Sequence, residues 1–401
     1  MGLILFIIMI ALFLGILEKK THQKRVESIP LRVNVNGIRG KSTATRLITG
    51  ILKEAGLKTV GKTTGTQARM IYWFTHEEKP IKRKPQGPNI GEQIKIVEEA
   101  AKLKAQALVS ECMAVKPDYQ IIFQEQMVQA NVGVIVNVLE DHMDVLGPTL
   151  DEVAEAFTAT IPYNGHLIIT QGPYVEYFKK VAAKRGTKVT IADTSKVSEE
   201  YLRKFHYILF PENVAIGMAV AEALEIEEEV ALRGMLNAQP DPGVLQVLTV
   251  GDSKTPAYFV NGFAANDAAS TLNIWKRIEE LGYPTQDAVM LMNCRSDRVD
   301  RTEQFAQDVL PNIPADVIVV IGGTVSPIVE AYKAGKLPVN KIINLEGKNS
   351  EEIYEVIQQY FSNRVIYGMG NIHGSAEPLV EMLEEKQGKE KVAEKDLAEA
   401  S

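Results

Sequence analysis

Leu31-Arg32-Val33-Asn34-Val35-Asn36-Gly37-Ile38-Arg39-Gly40-Lys41-Ser42-Thr43 runs from alternating apolar residues into a glycine turn and a Lys-Ser-Thr triplet. Leu31–Asn36 reads as a strand, Gly37–Gly40 as a turn, and Lys41–Ala55 as a helix. Strand, glycine turn, Lys-Ser/Thr and helix form the context that makes a short motif a nucleotide site. Backbone N–H groups and the positive helix end cradle polyphosphate, Lys41 bridges its oxygens, and the Ser42 hydroxyl suits Mg²⁺. The loop is shorter than G-x-x-x-x-G-K-[ST], because Val35 stands where that motif has its first glycine.

Upstream of the loop lie an apolar segment and a short linker. Gly2–Leu17 is wholly apolar and is followed by Glu18, Lys19, Lys20, Lys24 and Arg25. A membrane helix needs about 20 apolar residues, with roughly 17 as the lower limit. A cleaved signal peptide carries its positive charges before the apolar run, whereas here they follow it. Basic residues prefer the cytoplasmic side. The expectation is a single-pass anchor over residues 1–18 in the cell membrane, a basic linker over 19–30, and a cytoplasmic catalytic body. A buried or interfacial helix is the alternative.

The chain has 401 residues, enough for two domains. Its 45% hydrophobic and 24% charged residues are ordinary for a globular protein. A net charge of −7 argues against nucleic acid as a partner. It leaves an acidic substrate open, since a site needs only local positive charge. Two cysteines, Cys112 and Cys294, imply a reducing compartment rather than a disulfide framework.

Downstream, strand-like and helical segments alternate. Leu31–Asn36, Ala107–Ser110, Val132–Val138 and His166–Thr170 read as buried parallel strands. Ile90–Lys104, Pro117–Val128 and Leu150–Thr160 read as helices between them. The pattern implies an α/β domain with a mainly parallel sheet, whose ligands bind at carboxyl ends of strands. A Pro/Gly break at Asn237–Gly243 divides the chain. Beyond it, Ala257–Val260, Ala288–Met292, Val317–Ile321, Lys341–Leu345 and Val365–Tyr367 are strand candidates of a smaller, Rossmann-like α/β domain. The expected domains are 31–243 for ATP and 244–385 for substrate, with a charged tail over 386–401.

Two further elements carry chemistry. Ser110-Glu111 ends a strand, where a carboxylate reaches a cation held at the loop. Asn137-Val138-Leu139-Glu140-Asp141-His142-Met143-Asp144 follows another, with a histidine flanked by three acidic residues. Together with the loop they read as one metal–nucleotide centre built from three strand ends. No Ser-His-Asp triad or zinc spacing stands out, and Cys112 beside Glu111 reads as packing rather than nucleophile.

The order Gly37–Thr43, Thr63-Thr64-Gly65-Thr66, Ser110-Glu111 and Asn137–Asp144 resembles the ATP-dependent Mur ligase superfamily. Asn213 falls in a helix where that family places an adenine-contacting Asn. Phe263-Ala264-Ala265-Asn266 is similar to its Y-A-H-N segment, Cys294–Asp300 to its C-G-G-D-R-D segment, and Gly368-Met369-Gly370 to its G-K-G. The resemblance spans residues 31–375. The chain departs from the pattern at Ala156, where many members have a carbamylated Lys. It also departs at Val244, Ala265 and Met369, which replace an Arg, a His and a Lys. An apolar segment stands where the cell-wall enzymes carry a domain for a UDP-linked precursor. With Gly61–Arg69 and Asn293–Arg298, this most resembles the membrane-associated poly-γ-glutamate synthase branch.

The resemblance implies ATP and Mg²⁺ as cofactors and amide formation through an acyl phosphate, releasing ADP and phosphate. It implies Lys41, Glu111 and His142 as catalytic residues. Ser42, Glu111 and His142 are then the metal ligands, and Gly37, Gly40, Lys41, Ser42, Thr43, Asn137 and Asn213 the nucleotide contacts. Thr64, Arg69 and Arg298 fall to substrate. Its implied partners are glutamate, a growing polyglutamate chain and membrane subunits of an export complex, in an oligomer. The alternatives are a folate-type polyglutamate ligase and a non-catalytic, ATP-gated subunit of a membrane complex.

Overall fold

The computed structural model describes residues 2–64, 68–82, 89–205, 207–241, 245–265 and 267–386. Gly65, Thr66, Pro242, Gly243, Val244, Asn266 and the tail from Gln387 lie outside the described residues. The chain divides into two units, residues 1–205 with 209–243, and residues 206–208 with 244–401.

The strands of the first unit are β1 (Leu31–Asn36), β2 (Thr59–Lys62), β3 (Arg69–Tyr72), β4 (Lys79–Pro80), β5 (Ala107–Glu111), β6 (Val132–Ile135), β7 (His166–Thr170) and β8 (Lys188–Ala192). They form one sheet in the order β4-β3-β2-β5-β1-β6-β7-β8, parallel except for the antiparallel β2–β3 and β3–β4 pairs. The helices are α1 (Gly2–Glu27), α2 (Lys41–Glu54), α3 (Glu92–Lys102), α4 (Pro117–Ile122), α5 (Met143–Leu146), α6 (Leu150–Phe157), α7 (Val175–Lys184), α8 (Glu199–Leu202), α9 (Pro211–Ala223) and α10 (Glu228–Leu236).

Strand β1 shows why the sheet is covered on both faces. Val33 and Val35 pack against Ala44, Ile48 and Leu52 of α2, spaced four apart on one helix face, and against Ala215, Ile216 and Ala219 of α9. Asn34 and Asn36 alternate with them and are equally buried. Asn34 Nδ2 donates to Gln124 Oε1 at 3.0 Å, and Asn36 Nδ2 to Gln120 Oε1 at 2.8 Å and Thr160 Oγ1 at 2.9 Å. The helix expected over Pro117–Val128 is α4 followed by a π-helical segment, Phe123–Val128. Gln120 and Gln124 thereby both reach β1. Strand β6 ends at Ile135, three residues before the expected Val138.

The N-terminal segment corrects the expected transmembrane anchor. Among the described residues, no helix is long and apolar enough to cross a membrane. The apolar part of α1, Gly2–Leu17, extends roughly 24 Å at 1.5 Å per residue, against a hydrocarbon core of about 30 Å. Its side chains from Leu3 to Leu17 are exposed. The helix continues to Glu27, through residues assigned to a linker from sequence, and its last turns dock on the body. Val26 and Ile29 are buried with Ile96, Val97 and Leu108. His22 Nε2 lies 2.9 Å from the Met127 carbonyl, and Arg25 pairs with Glu98 at 3.0 Å.

The second unit has β9 (Val247–Val250), β10 (Ala257–Asn261), β11 (Val289–Cys294), β12 (Val317–Gly322), β13 (Lys341–Glu346) and β14 (Val365–Gly370). Their order is β13-β12-β11-β14-β10-β9, parallel apart from β9. With them run α11 (Ala268–Glu280), α12 (Val299–Gln304), α13 (Ser326–Lys333) and α14 (Ser350–Ile357). Phe259, Leu291, Val319 and Ile366 from four adjacent strands meet Ile353, Ile357 and Leu379 in its core. Both units are therefore mixed α/β with mainly parallel sheets.

Candidate active site

Strand order brings the three chemical segments together. Strand β1 lies between β5 and β6, with Val35 opposite Glu111 and Asn36 opposite Ile135. The chain leaves β1 toward β2 and later returns on its other side as β6, so the carboxyl end of β1 opens a crevice at a topological switch.

The loop after β1 is built for close approach. Gly37 has φ +129 and Gly40 φ +81, conformations that L side chains rarely adopt. A Cβ on Gly40 would lie 2.8 Å from Asn213 Nδ2. Asn36 Oδ1 accepts from Gly37 N at 2.9 Å. Asn137 Oδ1 accepts from Ile38 N and Arg39 N, both at 3.0 Å, while its Nδ2 donates to the Arg39 carbonyl at 3.0 Å. Asn213, buried in the first turn of α9, donates from Nδ2 to the Gly40 carbonyl at 3.2 Å. Asn137 and Asn213 thus shape the loop itself. No side chain caps α2 at Gly40. The first-turn amides of Lys41, Ser42 and Thr43 have no carbonyl one turn earlier in their own helix, which leaves donors for an anion.

Lys41 Nζ donates to the carbonyls of Gly37 at 2.8 Å and Ile38 at 2.9 Å, within reach of the same concavity. Burial pushes its pKa down, and the Glu111 carboxylate pulls it partly back. Glu111, 2% exposed, closes the opposite wall. Its Oε2 accepts from Ser42 Oγ at 2.9 Å and from Thr64 N at 2.6 Å. A cavity of about 310 Å³ opens here, lined among others by Gly37, Lys41, Thr64, Glu111, Gln120 and His142.

His142 lies across that cavity in the left-handed region, φ 51, at the start of α5. Its side chain is 56% exposed, with Nε2 3.9 Å from Asp141 Oδ1. Asp141 in turn pairs with Arg39 of the loop at 3.3 Å, a partner the sequence did not single out. Thr43 stands half-buried in the first turn of α2, and Arg69 half-buried at the start of β3. Arg298 is exposed in the second unit, just before α12. Ala156, one of the departures noted in the sequence, is buried in α6.

Among the described residues, no three His, Cys, Asp or Glu side chains are grouped to hold a metal. The protein donors at the loop are instead the Ser42 hydroxyl and the Glu111 carboxylate, two hard oxygens already 2.9 Å apart. That set fits Mg²⁺, which keeps several waters and takes remaining oxygens from substrate phosphates. Burial raises the Cys112 thiol to about 11, so it is a packing group and not a nucleophile.

A polar layer under the loop escaped the sequence. Asn34, Asn36, Gln120, Gln124 and Thr160 are all buried, with Asn34 bonded to Gln124 and Asn36 bonded to Gln120 and Thr160. The signal was present in the polar alternation of β1 and the four-residue spacing of the glutamines. Arg46, on α2, is likewise buried between Glu78 and Asp241.

Comparison with known proteins agrees with this geometry. The family model for the Mur ligase middle domain matches residues 35–239, and that for the poly-gamma-glutamate synthase CapB C-terminal domain matches 247–386. MurF from Acinetobacter baumannii superposes with a TM-score of 0.64 at 16% identity, covering 91% of this chain and 78% of that one. A folylpolyglutamate synthase/dihydrofolate synthase from Yersinia pestis, complexed with AMPPNP and Mn ion, gives 0.64 at 14% identity over 91% and 92%. Fold and site together define a ligase of the Mur type. PGA synthase CapB of Bacillus subtilis is 63% identical over 98% of this chain and 100% of its own length. The capsule biosynthesis protein CapB of Bacillus anthracis is 63% identical over 93% and 80%. The chain belongs to the CapB family of poly-gamma-glutamate synthases.

Proposed function

We propose that this chain is an ATP-dependent amide ligase that polymerises glutamate into poly-γ-glutamate. The observation that carries the reading is Glu111 Oε2 bonded to Ser42 Oγ and Thr64 N beside Lys41, at adjacent strand ends. It is supported by the 63% identity to PGA synthase CapB.

The carboxylate at the acceptor chain end attacks the γ-phosphorus of ATP, and ADP leaves. The amine of incoming glutamate attacks the acyl carbon, loses a proton, and displaces phosphate to form the amide. Such transfer needs positioning and charge neutralisation rather than a protein nucleophile. The amides of Lys41, Ser42 and Thr43 hold the phosphates, and Lys41 Nζ leaves its two loop carbonyls for phosphate oxygen. Ser42 and Glu111 hold Mg²⁺, which neutralises charge on the phosphates when bound. His142, across the cavity, donates to charge developing there. Thr43 and Asn213 flank the nucleotide. Thr64 and Arg69 take acceptor carboxylate or phosphate.

The same proposal places the chain at the cytoplasmic face of the cell membrane, beside membrane subunits that export the polymer. The exposed apolar turns Leu3–Leu17 support it, since an apolar surface of that extent is buried in lipid or partner. Lys19 and Lys20 follow it and suit an anionic headgroup layer. Deleting residues 2–17 is expected to move the chain from the membrane to the soluble fraction; unchanged fractionation contradicts the placement.

The catalytic reading is tested by an amino-acid screen for ADP release by the detergent-purified complex, with mass spectrometry of products. Glutamate-dependent ADP release and masses rising in glutamyl steps are expected. Glutamate-independent hydrolysis with no polymer contradicts the reading. Extension of a pteroyl acceptor favours the folate-type alternative.

A further inference from the structure

Strand β2 ends in a lysine that the mechanism above does not use. Lys62 is fully buried, at 0% exposure, opposite Ser110 of β5 and Met70 of β3. Its Nζ donates to the carbonyl of Glu111 at 3.4 Å. Two residues on, Thr64 N donates to the carboxylate of the same Glu111 at 2.6 Å. The β2 end therefore grips Glu111 by both main chain and side chain. Between these two contacts stands Thr63, whose Oγ1 is buried with no hydrogen-bond partner among the described residues.

A buried ammonium is costly, and packing alone is met as well by an apolar side chain of the same volume. The site beside it must gather the several negative charges of a nucleoside polyphosphate, plus Glu111. Lys41 and the α2 N-terminus supply part of the balancing charge. Lys62 supplies more, its Nζ meeting the main chain of Glu111, the residue whose carboxylate bonds Ser42.

We infer that Lys62 is a positioning residue of the phosphate site: it holds Glu111 in register and supplies fixed positive charge beneath the bound polyphosphate. The inference rests on reading the Ser42–Glu111 pair as the nucleotide site. Its charge has a signature that a purely structural lysine lacks. Removing it weakens attraction for polyphosphate but also relieves repulsion of Mg²⁺, so the two affinities move in opposite directions.

The test is titration of the full chain with a fluorescent ADP analogue, with and without Mg²⁺, alongside thermal melting. Lys62→Gln removes the charge and keeps a donor for the Glu111 carbonyl; Lys62→Arg keeps the charge. For a charge in this neighbourhood, Lys62→Gln is expected to lose about ten-fold in metal-free affinity. Saturating Mg²⁺ should recover most of that loss, at a lower half-saturating concentration than in wild type. Lys62→Arg should stay within about three-fold of wild type. Equal binding by Lys62→Gln and wild type, or equal losses in both variants irrespective of Mg²⁺, overturns the inference. Should Lys62→Gln not fold, Lys62→Arg decides: near-wild-type metal-free affinity supports the inference, and a ten-fold loss overturns it. Lys41→Ala, measured in parallel, separates the premises. Binding lost there but unchanged in Lys62→Gln overturns the role of Lys62 and leaves the site intact. Binding unchanged in Lys41→Ala contradicts the site itself.

Discussion

Ser42 Oγ hydrogen-bonds Glu111 Oε2 at 2.9 Å although 69 residues separate them. The contact exists because β1 and β5 are adjacent parallel strands that end level with one another. It places a hydroxyl and a carboxylate where a hard cation can meet a nucleotide.

Glu111→Ala removes one of those oxygens. Mg²⁺-dependent ADP release is expected to fall at least about 100-fold, since a bound cation supplies several kcal/mol of charge stabilisation. The fold should survive, with about 1–3 kcal/mol lost through the orphaned Thr64 N–H. Turnover and urea unfolding measured on one preparation check both; undiminished turnover removes Glu111 from the site.

Asn137→Ala leaves the amides of Ile38 and Arg39 without their acceptor. Each buried unsatisfied group costs about 1–3 kcal/mol, and the loop rather than the core bears it. The KM for ATP should rise about ten-fold or more, with a smaller shift in the urea midpoint. Asn137→Asp keeps the acceptor but loses the donor to Arg39, and should fall between. A KM unchanged in Asn137→Ala contradicts the clamp.

The chemical part of the site was legible because its residues sit at strand ends, where Lys41, Ser42, Glu111 and His142 interrupt apolar runs. What supports them was harder to read. Asn34 and Asn36 look like defects in a buried strand until Gln124 and Gln120, four residues apart, face them, a partnership that neither segment shows by itself. Asn137 and Asn213, expected on the nucleotide, also bind the loop through their carboxamides, contacts that only distances reveal. The antiparallel β2–β3 pair was missed because its strands have four residues each. Helix α1 runs past its apolar part because Val26, in a charged stretch, has a hydrophobic pocket to fill.

Arg46→Met tests a buried cluster. The Arg46 side chain is 2% exposed, and its partners Glu78 and Asp241 are 12% and 10% exposed. Two carboxylates lose their cation, so the urea midpoint should fall by the equivalent of about 3–5 kcal/mol. By contrast, Arg233→Ala breaks an exposed pair with Glu54 and should cost no more than about 1 kcal/mol. Equal effects contradict the assignment of the first pair to the core.

The two cysteines should be silent. Burial raises Cys112 to about 11 and Cys294 to about 12. At pH 8 the thiolate fraction of Cys112 is then on the order of one in a thousand. Native protein should react negligibly with a thiol reagent over minutes and expose both thiols in denaturant. Rapid native labelling that abolishes turnover contradicts the assignment of Cys112 to packing.

The proposed reaction passes through an acyl phosphate formed by the acceptor carboxylate. An acceptor whose terminal γ-carboxylate carries ¹⁸O in both oxygens tests it most directly, by mass analysis of the released phosphate. One ¹⁸O atom per phosphate, transferred only when glutamate is present and lost in Lys41→Ala, is the predicted result. Amide product accompanied by phosphate free of ¹⁸O would contradict the mechanism.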